Sequence, residues 1–515
     1  MIERLKRLAS ISFDVSWVAV LVLLPITSLP LLSRLAGNTA VAPAAFIPLC
    51  WLALFWFVPY LIKKGTMPRE SLPFLFFVSV AIIASAGAFF IAIPPFKNES
   101  ILGAEISAVP TLMIGAAFYL VTATWLSRSR SRLVFTLKWI NVSGLLVILW
   151  AAVQAVYVYL FQSNYPDLLV NFQRLISTRD LFIGRITSFA FEPSWLAHEM
   201  NLVYMPFWLG ATLSGISAFR LRLWKFSLEN ILLLIGVVIV FISSRVGALA
   251  LLLVLAFVGI YFNVALVRHV YRWGMAQFSR FPAIARQISR LLLPLILSLA
   301  LIGIYALGAV GVVYGLSHVD QRLTRLFNIA QLKAFLGNPY LFFNFLLFSE
   351  RYVYWVAGWN VFNLHPFIGV GLGNAGFYFQ KQLPAYSWAL PEVMEIYFRA
   401  TSLPNIKSFW VRLLAETGIT GFASFLAWFY VMMRSGWSLL KKSSSLMKAI
   451  GWSGLFVLIA FVIEGFSIDT FALPYLWVSL GIVSAARALS RNSQTKAGDE
   501  LQNEAKASDD PPMSN

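Results

Sequence analysis

The sequence predicts an all-α polytopic membrane protein with about twelve transmembrane helices and a large external loop between spans nine and ten. Of its 515 residues, 59% are hydrophobic and only 12% are charged, which is about half the charge of a typical soluble domain. The apolar residues fall in runs of roughly 18 to 28, long enough to cross the hydrocarbon core as helices. Membrane-spanning strands would instead give ~10-residue segments of alternating polarity.

Apolar runs mark the predicted spans in chain order. The first run follows a basic segment at residues 1–7, and no clear small-residue cleavage site ends it. We therefore expect a retained first span rather than a removed signal peptide. The runs lie near 15–32, 40–61, 71–93, 102–126, 135–161, 189–216, 226–243, 246–267, 291–315, 409–433, 449–466 and 471–486.

The distribution of lysine and arginine orients these spans. With the N-terminus inside, basic clusters at 4–7, 63–69, 128–138, 220–225, 268–290 and 434–448 all fall in cytoplasmic segments. The short external turns at 33–39 and 94–101 hold only Arg34 and Lys97. This contrast follows the positive-inside rule. It predicts an inner-membrane protein with both termini in the cytoplasm and two long external loops, at 162–187 and 316–408.

Residues 1–490 are predicted to form a single transmembrane domain, and the polar tail at 491–515 is predicted to be disordered in the cytoplasm. The net charge of +18 reflects the positive-inside bias, so we expect membrane lipids as partners and no nucleic acid. Cys50 is the sole cysteine, which excludes an intrachain disulfide. The histidines show no metal-ligand spacing, and no phosphate-binding loop or nucleophile elbow is present, so we expect no metal and no cofactor.

Basic residues on the predicted outer side run against the insertion bias and therefore indicate function. Arg185 lies in the first long loop, Arg245 in the tight turn between spans seven and eight, and Arg351 in the second long loop. Arginine suits phosphate because its planar fork of donors matches phosphate oxygens. The pattern predicts that these three arginines hold a pyrophosphate at the membrane surface.

The Phe-Glu-Pro-Ser stretch at 191–194 opens the sixth span. Pro193 fits the first turn of a helix, and Glu192 would then stand at the helix start. We interpret Glu192 as a general base or as a residue that orients an arginine, and the alternative is a structural salt bridge with Arg185 or Arg245. His198 is a further candidate, although an interior histidine satisfied by its neighbours is an equally simple interpretation.

The His-Pro-Phe-Ile-Gly-Val-Gly-Leu-Gly-Asn stretch at 365–374 is the most distinctive in the chain. Glycine at every second position allows close backbone approach and positive φ. Its spacing differs from that of the dinucleotide fingerprint, so we expect a tight turn packed under the active site rather than a phosphate cradle. His365 is a candidate base or a cap of this turn.

At these residues the chain resembles the superfamily of O-antigen ligases and Wzy-type polymerases. The likeness spans about residues 185–421 and is carried by the Ser-Arg-Val-Gly stretch at 244–247, the glycine stretch at 365–374, the segment from Asn405 to the Leu-Ala-Glu-Thr-Gly at 414–418, and the twelve-span layout. The resemblance implies a GT-C-like membrane glycosyltransferase that takes glycan from undecaprenyl pyrophosphate without metal or nucleotide. It places Arg245 among the pyrophosphate-binding arginines and adds Asn405 as a candidate. Lys407 is a further candidate because it is a basic residue of the second long loop.

One departure from the pattern bears on the reaction. Ligases of this superfamily carry a His-Asn pair just before span ten, and here Pro404 precedes Asn405. The departure favours a polymerase of lipid-linked oligosaccharide repeat units, making O-antigen or exopolysaccharide, with a chain-length regulator as an expected partner. The alternatives are a ligase that transfers glycan to lipid A core or another acceptor, and a flippase or exporter of lipid-linked sugars.

Overall fold

The structure is a computed structural model, and it describes residues 2–509 apart from 36, 38, 220, 279–282, 318–323, 326, 336, 346, 347, 400 and 401. The described chain is helical almost throughout, with one short hairpin of β1 (Arg222–Leu223) and β2 (Phe226–Ser227). The prediction of an all-α membrane protein is confirmed at this level. Six helices of the described residues are long and apolar enough to cross a membrane: Arg69–Ala88, Ile101–Leu126, Arg130–Leu160, Arg245–Gln277, Gln287–Gly315 and Ser445–Glu464.

Helical segments also occupy the remaining predicted spans, two of them as shorter apolar helices at Phe46–Ile62 and Leu228–Ser243. The α-helices in chain order are α1 (Ile2–Leu23), α2 (Pro30–Leu35), α3 (Phe46–Leu52), α4 (Val58–Ile62), α5 (Leu72–Ala88), α6 (Ile101–Leu126), α7 (Arg130–Leu160), α8 (Asp167–Ile176), α9 (Pro193–Glu199), α10 (Met205–Ser214), α11 (Leu228–Ser243), α12 (Arg245–Phe278), α13 (Ala283–Ser317), α14 (Ile329–Phe335), α15 (Pro339–Phe345), α16 (Ser349–Leu364), α17 (Ala375–Gln382), α18 (Pro391–Phe398), α19 (Phe409–Leu440), α20 (Ser445–Glu464) and α21 (Tyr475–Asp509).

Both long loops contain helices of their own. Helix α8 lies within 162–187, and α14 to α18 lie within 316–408, so neither loop is an irregular connection. The last helix, α21, runs to Asp509 and includes most of the tail for which the composition predicts disorder. Residues 510–515 lie outside the described residues.

Two π-helical turns interrupt spans at positions set by proline. Ala53–Phe57 lead into α4 with Pro59 near its start, and Met200–Tyr204 lead into α10 with Pro206. Proline has no N–H to donate to the carbonyl four residues earlier, and a freed carbonyl in an apolar interior needs another donor. The Ser479 hydroxyl of α21 supplies one to the carbonyl of Leu202, at 2.5 Å.

Contacts divide the described chain into two units, residues 2–247 with 353–509, and residues 248–352. The first unit has an aromatic centre in which Phe74 of α5, Tyr119 of α6 and Trp428 of α19 pack with ring centroids 4.8 to 5.2 Å apart. In the second unit, Asn263 of α12 donates to the Tyr305 hydroxyl of α13 at 2.5 Å.

Segments predicted to lie outside the membrane, or at the outer end of a span, contact one another in the first unit. The Thr178 N–H of the first long loop donates to the carbonyl of Ser28, near the outer end of the first predicted span, at 3.0 Å. Lys97 donates to the carbonyl of Ile396 at 2.9 Å. These contacts join turns that are far apart in sequence. We call this region, where α1, α5, α7 and α20 end and α6, α9, α12, α19 and α21 begin, the first end of the unit.

Segments predicted to lie inside meet in the same way at the second end of the unit. Arg130, at the start of α7, donates to Ser444 just before α20, at 3.1 Å. Arg491 of α21 pairs with Glu70 before α5, at 2.7 Å. Turns predicted to lie on one side of the membrane thus contact turns predicted for the same side. Which end of the unit faces outward stays a prediction.

Candidate functional site

The first end of the first unit carries the residues that the sequence singles out, beginning with the start of α9. Pro193 is the first residue of α9 and Glu192 occupies the N-cap position, so the predicted helix start is confirmed. Glu192 Oε1 accepts a hydrogen bond from Arg179 Nη1 at 3.0 Å, and Oε2 accepts one from the Ser194 hydroxyl at 3.3 Å. The ion pair of Glu192 is thus with Arg179 and not with Arg185 or Arg245, the partners considered from the sequence.

Arg179 is held by more than its carboxylate partner. Its guanidinium lies 4.4 Å from the ring centroid of Phe182 and 5.1 Å from that of Phe191, both within cation–π range. The Arg179 and Glu192 side chains are 40% and 36% exposed, so the pair is accessible from the surface of the unit. An arginine fixed by two rings and a carboxylate, yet still exposed, is suited to receive a phosphate oxygen.

Arg185 follows in the same segment and is half-buried. Within the described part of the chain its side chain makes no ion pair. Arg174, by contrast, pairs with Asp180 at 2.7 Å, and both side chains are more than half exposed. Arg174 lowers the pKa of the Asp180 carboxyl through a hydrogen bond. A surface pair of this kind contributes little stability, and it offers a reference for Arg179.

Arg245 is the first residue of α12, and this helix start packs directly on α9. Gly247 lies against Ala197, leaving no space for a methyl group between them. The Asn201 side chain donates to the carbonyl of Gly247 at 2.9 Å. Glu192 is five residues before Ala197 and Arg245 two before Gly247, so at 1.5 Å per residue both lie within about 8 Å of this contact along their helices. The starts of α9 and α12 are therefore neighbours.

A buried polar cluster lies beneath these helix starts. Asn201 also donates to Glu464 Oε1 at 2.7 Å, and His198 Nδ1 lies 3.5 Å from Glu464 Oε2. Glu199 accepts a hydrogen bond from the Tyr475 hydroxyl at 3.4 Å. His198, Glu199, Asn201 and Glu464 are all buried, and buried ionisable groups in apolar spans mark function by default. The cluster fixes the backbone beside Arg245, and His198 lies inside it rather than at the surface.

Lys407 belongs to a second charged cluster at the same end. Its ammonium pairs with Glu392, and its backbone N–H donates to Asp469 Oδ2 at 3.1 Å. The ammonium also lies 5.0 Å from the ring centroid of Tyr354. Lys407 adopts a positive φ of 56°, a conformation that costs energy for a residue with a side chain. Asn405, two residues earlier, is exposed.

Arg412 lies one turn inside α19. Its Nε donates to Glu416 Oε2 at 2.8 Å, and a second nitrogen donates to the carbonyl of Asp469. Both side chains are nearly buried, at 13% and 5% exposure. This pair is not among the site residues predicted from the sequence. An arginine and a glutamate at i and i+4 inside an apolar run would have indicated it.

The glycine stretch at 365–374 forms a tight turn, as predicted. Gly369, Gly371 and Gly373 have φ of 78°, 83° and 83°. The turn fills a break in α19 at Gly418, whose φ of 63° and ψ of −170° interrupt the helix. The N–H groups of Val370 and Gly371 donate to the carbonyls of residues 415 and 416, at 3.1 and 2.9 Å. Those N–H groups are therefore already bonded within the protein, which supports the packing interpretation over a phosphate cradle.

His365 begins this turn. Its Nε2 lies 3.3 Å from the Tyr378 hydroxyl, and partial burial lowers its pKa below the ordinary value of 6.5. The lowered pKa keeps the imidazole neutral at neutral pH, the form that can accept a proton.

Arg351 belongs to the second unit. Its guanidinium lies 5.8 Å from the ring centroid of Phe348. Its place beside the other arginines stays a prediction. Among the residues that the structure describes, no group of three or more His, Cys, Asp or Glu is arranged to hold a metal ion.

Comparison with known proteins gives no matching family model and no matching curated protein. The geometry of the site groups Glu192, Arg245 and His198 through α9. It adds Arg179, Asn201 and Glu464, which are not among the residues predicted from the sequence. The sequence signal for Arg179 was its place in a loop predicted to lie outside the membrane, where the positive-inside bias disfavours arginine. The sequence signal for Glu464 was an acidic residue at the end of an apolar run.

Proposed function

We propose that this chain is a membrane glycosyltransferase of the GT-C type that polymerises undecaprenyl-pyrophosphate-linked oligosaccharide repeat units. The reaction takes place at the outer leaflet of the bacterial inner membrane and needs no metal. The proposal includes twelve spans, cytoplasmic termini, the first end of the unit on the outer side, and a chain-length regulator as partner. It rests on the resemblance over residues 185–421 and on one feature of the structure.

That feature is the pair of neighbouring helix starts that carry Glu192 and Arg245. The α9 start presents an exposed Arg179–Glu192 pair 3.0 Å across, and the α12 start begins with Arg245. Contact between Ala197 and Gly247 and the hydrogen bond from Asn201 hold the two starts together. Transfer from a lipid pyrophosphate requires cations for the leaving phosphate and a base for the attacking hydroxyl. The two arginines and the acid at this end of the unit are groups of those kinds.

In the proposed reaction a sugar hydroxyl of one lipid-linked unit attacks the anomeric carbon of another. The new glycosidic bond forms as the bond between that carbon and the pyrophosphate oxygen breaks, and undecaprenyl pyrophosphate leaves. Arg245, with Arg185 or Arg351, stabilises the negative charge that develops on the leaving oxygen. The hydroxyl proton passes to a general base, for which Glu192 is the candidate.

The Arg179–Glu192 pair supports two roles for the acid. In the first, the donor pyrophosphate competes for Arg179 and leaves the Glu192 carboxylate able to accept the hydroxyl proton. In the second, Glu192 only orients Arg179 toward the pyrophosphate. Glu192→Gln separates them, because an amide oxygen still accepts a hydrogen bond from Arg179 but does not take up a proton at neutral pH.

The function is tested by separating surface and lipid-linked glycans from a strain that lacks the gene, complemented with wild type or Arg245→Ala at equal membrane abundance. A polymerase predicts single repeat units on their acceptor and no long chains, restored by wild type and not by the variant. Long chains stranded on the carrier lipid would show a ligase, and the absence of any external glycan would show a flippase. Normal chain length with Arg245→Ala would contradict the role of this arginine.

Matched variants in the first long loop test the arginine pair. Arg179→Gln removes the ion-pair partner of Glu192. Arg174→Gln makes the same change in the same loop, but it removes only the exposed partner of Asp180. We expect long chains to be lost with Arg179→Gln and kept with Arg174→Gln. If Glu192→Gln keeps long chains and Glu192→Ala loses them, the acid orients the arginine. If both lose them while Arg179→Lys retains them, the acid is the base.

A further inference from the structure

A basic cavity lies at the second end of the first unit, far from the site described above. It has a volume of about 570 Å³ and opens between the last turns of α19 and the middle of α21. Four basic side chains line it: Arg434, Lys441, Arg487 and Arg491. The proposed polymerase chemistry uses none of them.

The charge of the cavity is largely uncompensated. Arg491 is neutralised by Glu70, which is buried and accepts two hydrogen bonds, at 2.7 and 3.3 Å. Within the described part of the chain, Arg434, Lys441 and Arg487 make no ion pair. Three cations around one concave surface repel one another unless an anion enters. The arrangement therefore favours an anionic ligand with several acceptor oxygens.

The surface beside the cavity indicates where that ligand comes from. Leu426, Tyr430, Met433 and Trp437 form an exposed stripe on α19, at 40% to 53% exposure, spaced as one face of a helix. Tyr430, Met433 and Trp437 also line the cavity. Aromatic residues next to basic ones are typical of the headgroup level of a bilayer, and the stripe offers an apolar track for an acyl chain.

A second cavity at the same end gives an internal comparison. It has a similar volume, about 580 Å³, and is lined by Arg130, Ser443, Ser444 and Ser445 with apolar neighbours. Its one basic residue, Arg130, donates to the Ser444 hydroxyl at 3.1 Å. The concentration of cations is thus a property of the α19–α21 cavity and not of every cavity at this end.

We propose that the α19–α21 cavity binds the phosphate headgroup of an anionic phospholipid, with an acyl chain lying along the α19 stripe. Basic pockets between transmembrane helices on the cytoplasmic side are suited to such headgroups. Arg434, Lys441 and Arg487 hold the phosphate oxygens, and Arg491 stays with Glu70. The bound lipid bridges α19 and α21, so binding stabilises the folded unit in proportion to occupancy.

The test is native mass spectrometry of the purified full-length protein, titrated with phosphatidylglycerol in mixed micelles and, separately, with phosphatidylethanolamine. The variant Arg434→Gln with Arg487→Gln removes two cations and leaves the Arg491–Glu70 pair intact. The control, Lys63→Gln with Lys442→Gln, makes the same charge change outside the lining of either cavity. We expect the cavity variant to bind phosphatidylglycerol about thirtyfold more weakly, at about 1 kcal/mol for each basic residue near the surface, and the control to bind as wild type.

Further arms decide between sources of the phosphate group. Arg434→Lys with Arg487→Lys keeps the charge and is expected to retain binding within a few fold. Inorganic phosphate at millimolar concentration should leave phosphatidylglycerol binding unchanged. Equal weakening in the cavity variant and the control would overturn the proposal in favour of general surface charge. Displacement of the lipid by inorganic phosphate would overturn it in favour of a soluble phosphate ligand, and equal binding of phosphatidylethanolamine would also overturn it.

Discussion

Gly247→Ala is the sharpest test of how the protein positions Arg245. The added methyl would overlap the Cβ of Ala197 and approach the Ala197 Cα and the Asn201 amide to 3.5 Å. The overlapped atoms are backbone or Cβ, so no flexible side chain can move aside. The start of α12 has to shift away from α9, and Arg245, two residues earlier, shifts with it.

The size of the effect follows from two opposing contributions. Overpacking costs about 1–3 kcal/mol, and a rigid contact such as this one belongs at the upper end of that range. Replacing a helical glycine by alanine returns about 1 kcal/mol of helix propensity. We therefore expect Gly247→Ala to lower the free energy of unfolding by about 2 kcal/mol. The effect on activity is expected to be larger, because a displacement of about 1 Å can cost ~10²-fold in rate.

A second substitution makes the test specific. Ala197→Gly removes the methyl that the new side chain meets, so the double variant again has one alanine and one glycine at the contact. Helix propensities then nearly cancel, and the double variant is expected to recover about 2 kcal/mol of the loss together with long glycan chains. Gly87→Ala is the control, because a methyl added to Gly87 of α5 has no neighbour within 4 Å.

The measurements are thermal unfolding of the purified protein in detergent and the chain-length distribution in the complemented strain. A double variant no better than Gly247→Ala would refute the idea that this contact sets the position of Arg245. So would a Gly247→Ala protein with wild-type stability and wild-type chain length. Loss of function in the Gly87→Ala control would show instead that the assay responds to any change of a helical glycine.

Three further predictions concern stability. Arg491→Gln leaves the buried Glu70 carboxylate without its partner, so unfolding should become easier by about 2–3 kcal/mol in a denaturation series, less than for a fully buried pair because Arg491 is one-third exposed. Gly418→Ala forces a side chain onto a φ of 63° and against the Phe367 carbonyl, so the folded yield after extraction should fall sharply, whereas Gly87→Ala should keep it. The pKa of His365 is lowered by burial in the folded state, so the unfolded chain takes up this proton more readily, and stability falls as the pH drops below 6.5. The melting temperature should therefore drop less between pH 7.5 and 5.5 in His365→Gln than in wild type.

Helix positions could be predicted because they depend on local rules. Pro193 marked the start of α9 because proline fits only where its missing N–H is not needed, and the structure begins the helix there. The positive φ of Gly369 and Gly371 followed from glycine spacing in the same way. Such features depend on a few neighbouring residues, and those residues are visible in the sequence.

Partners across the fold could not be predicted, because they depend on how distant segments pack. The sequence offered Arg185 and Arg245 as partners of Glu192, whereas the structure pairs it with Arg179. That choice depends on the packing of Phe182 and Phe191 around Arg179. The hydrogen bond from Asn201, in the π-helical turn that follows α9, to the carbonyl of Gly247 in α12 spans 46 positions of the sequence. No local sequence pattern predicts it. The helices inside the long loops were missed because the two loops were treated as connections between spans.

The structure also explains why two of the motifs behind the family resemblance occur together. The break in α19 at Gly418 removes helical hydrogen bonds, and a broken backbone within an apolar unit needs its groups satisfied from elsewhere. The glycine turn supplies them in both directions, since the N–H groups of Ile419 and Thr420 donate to the carbonyls of Pro366 and Phe367 at 2.8 and 3.2 Å.

This reciprocal bonding makes the glycine stretch at 365–374 and the Leu-Ala-Glu-Thr-Gly at 414–418 a single packing unit. Gly369 lies on the backbone of Glu416 with no room for a side chain, so the two stretches are in direct backbone contact. Chains that share both stretches are thus expected to share this broken helix, whatever reaction they catalyse. The inference of glycan transfer therefore depends on Arg245 and the Arg179–Glu192 pair, which the packing of this turn does not require, and substitutions there are the ones that decide the function.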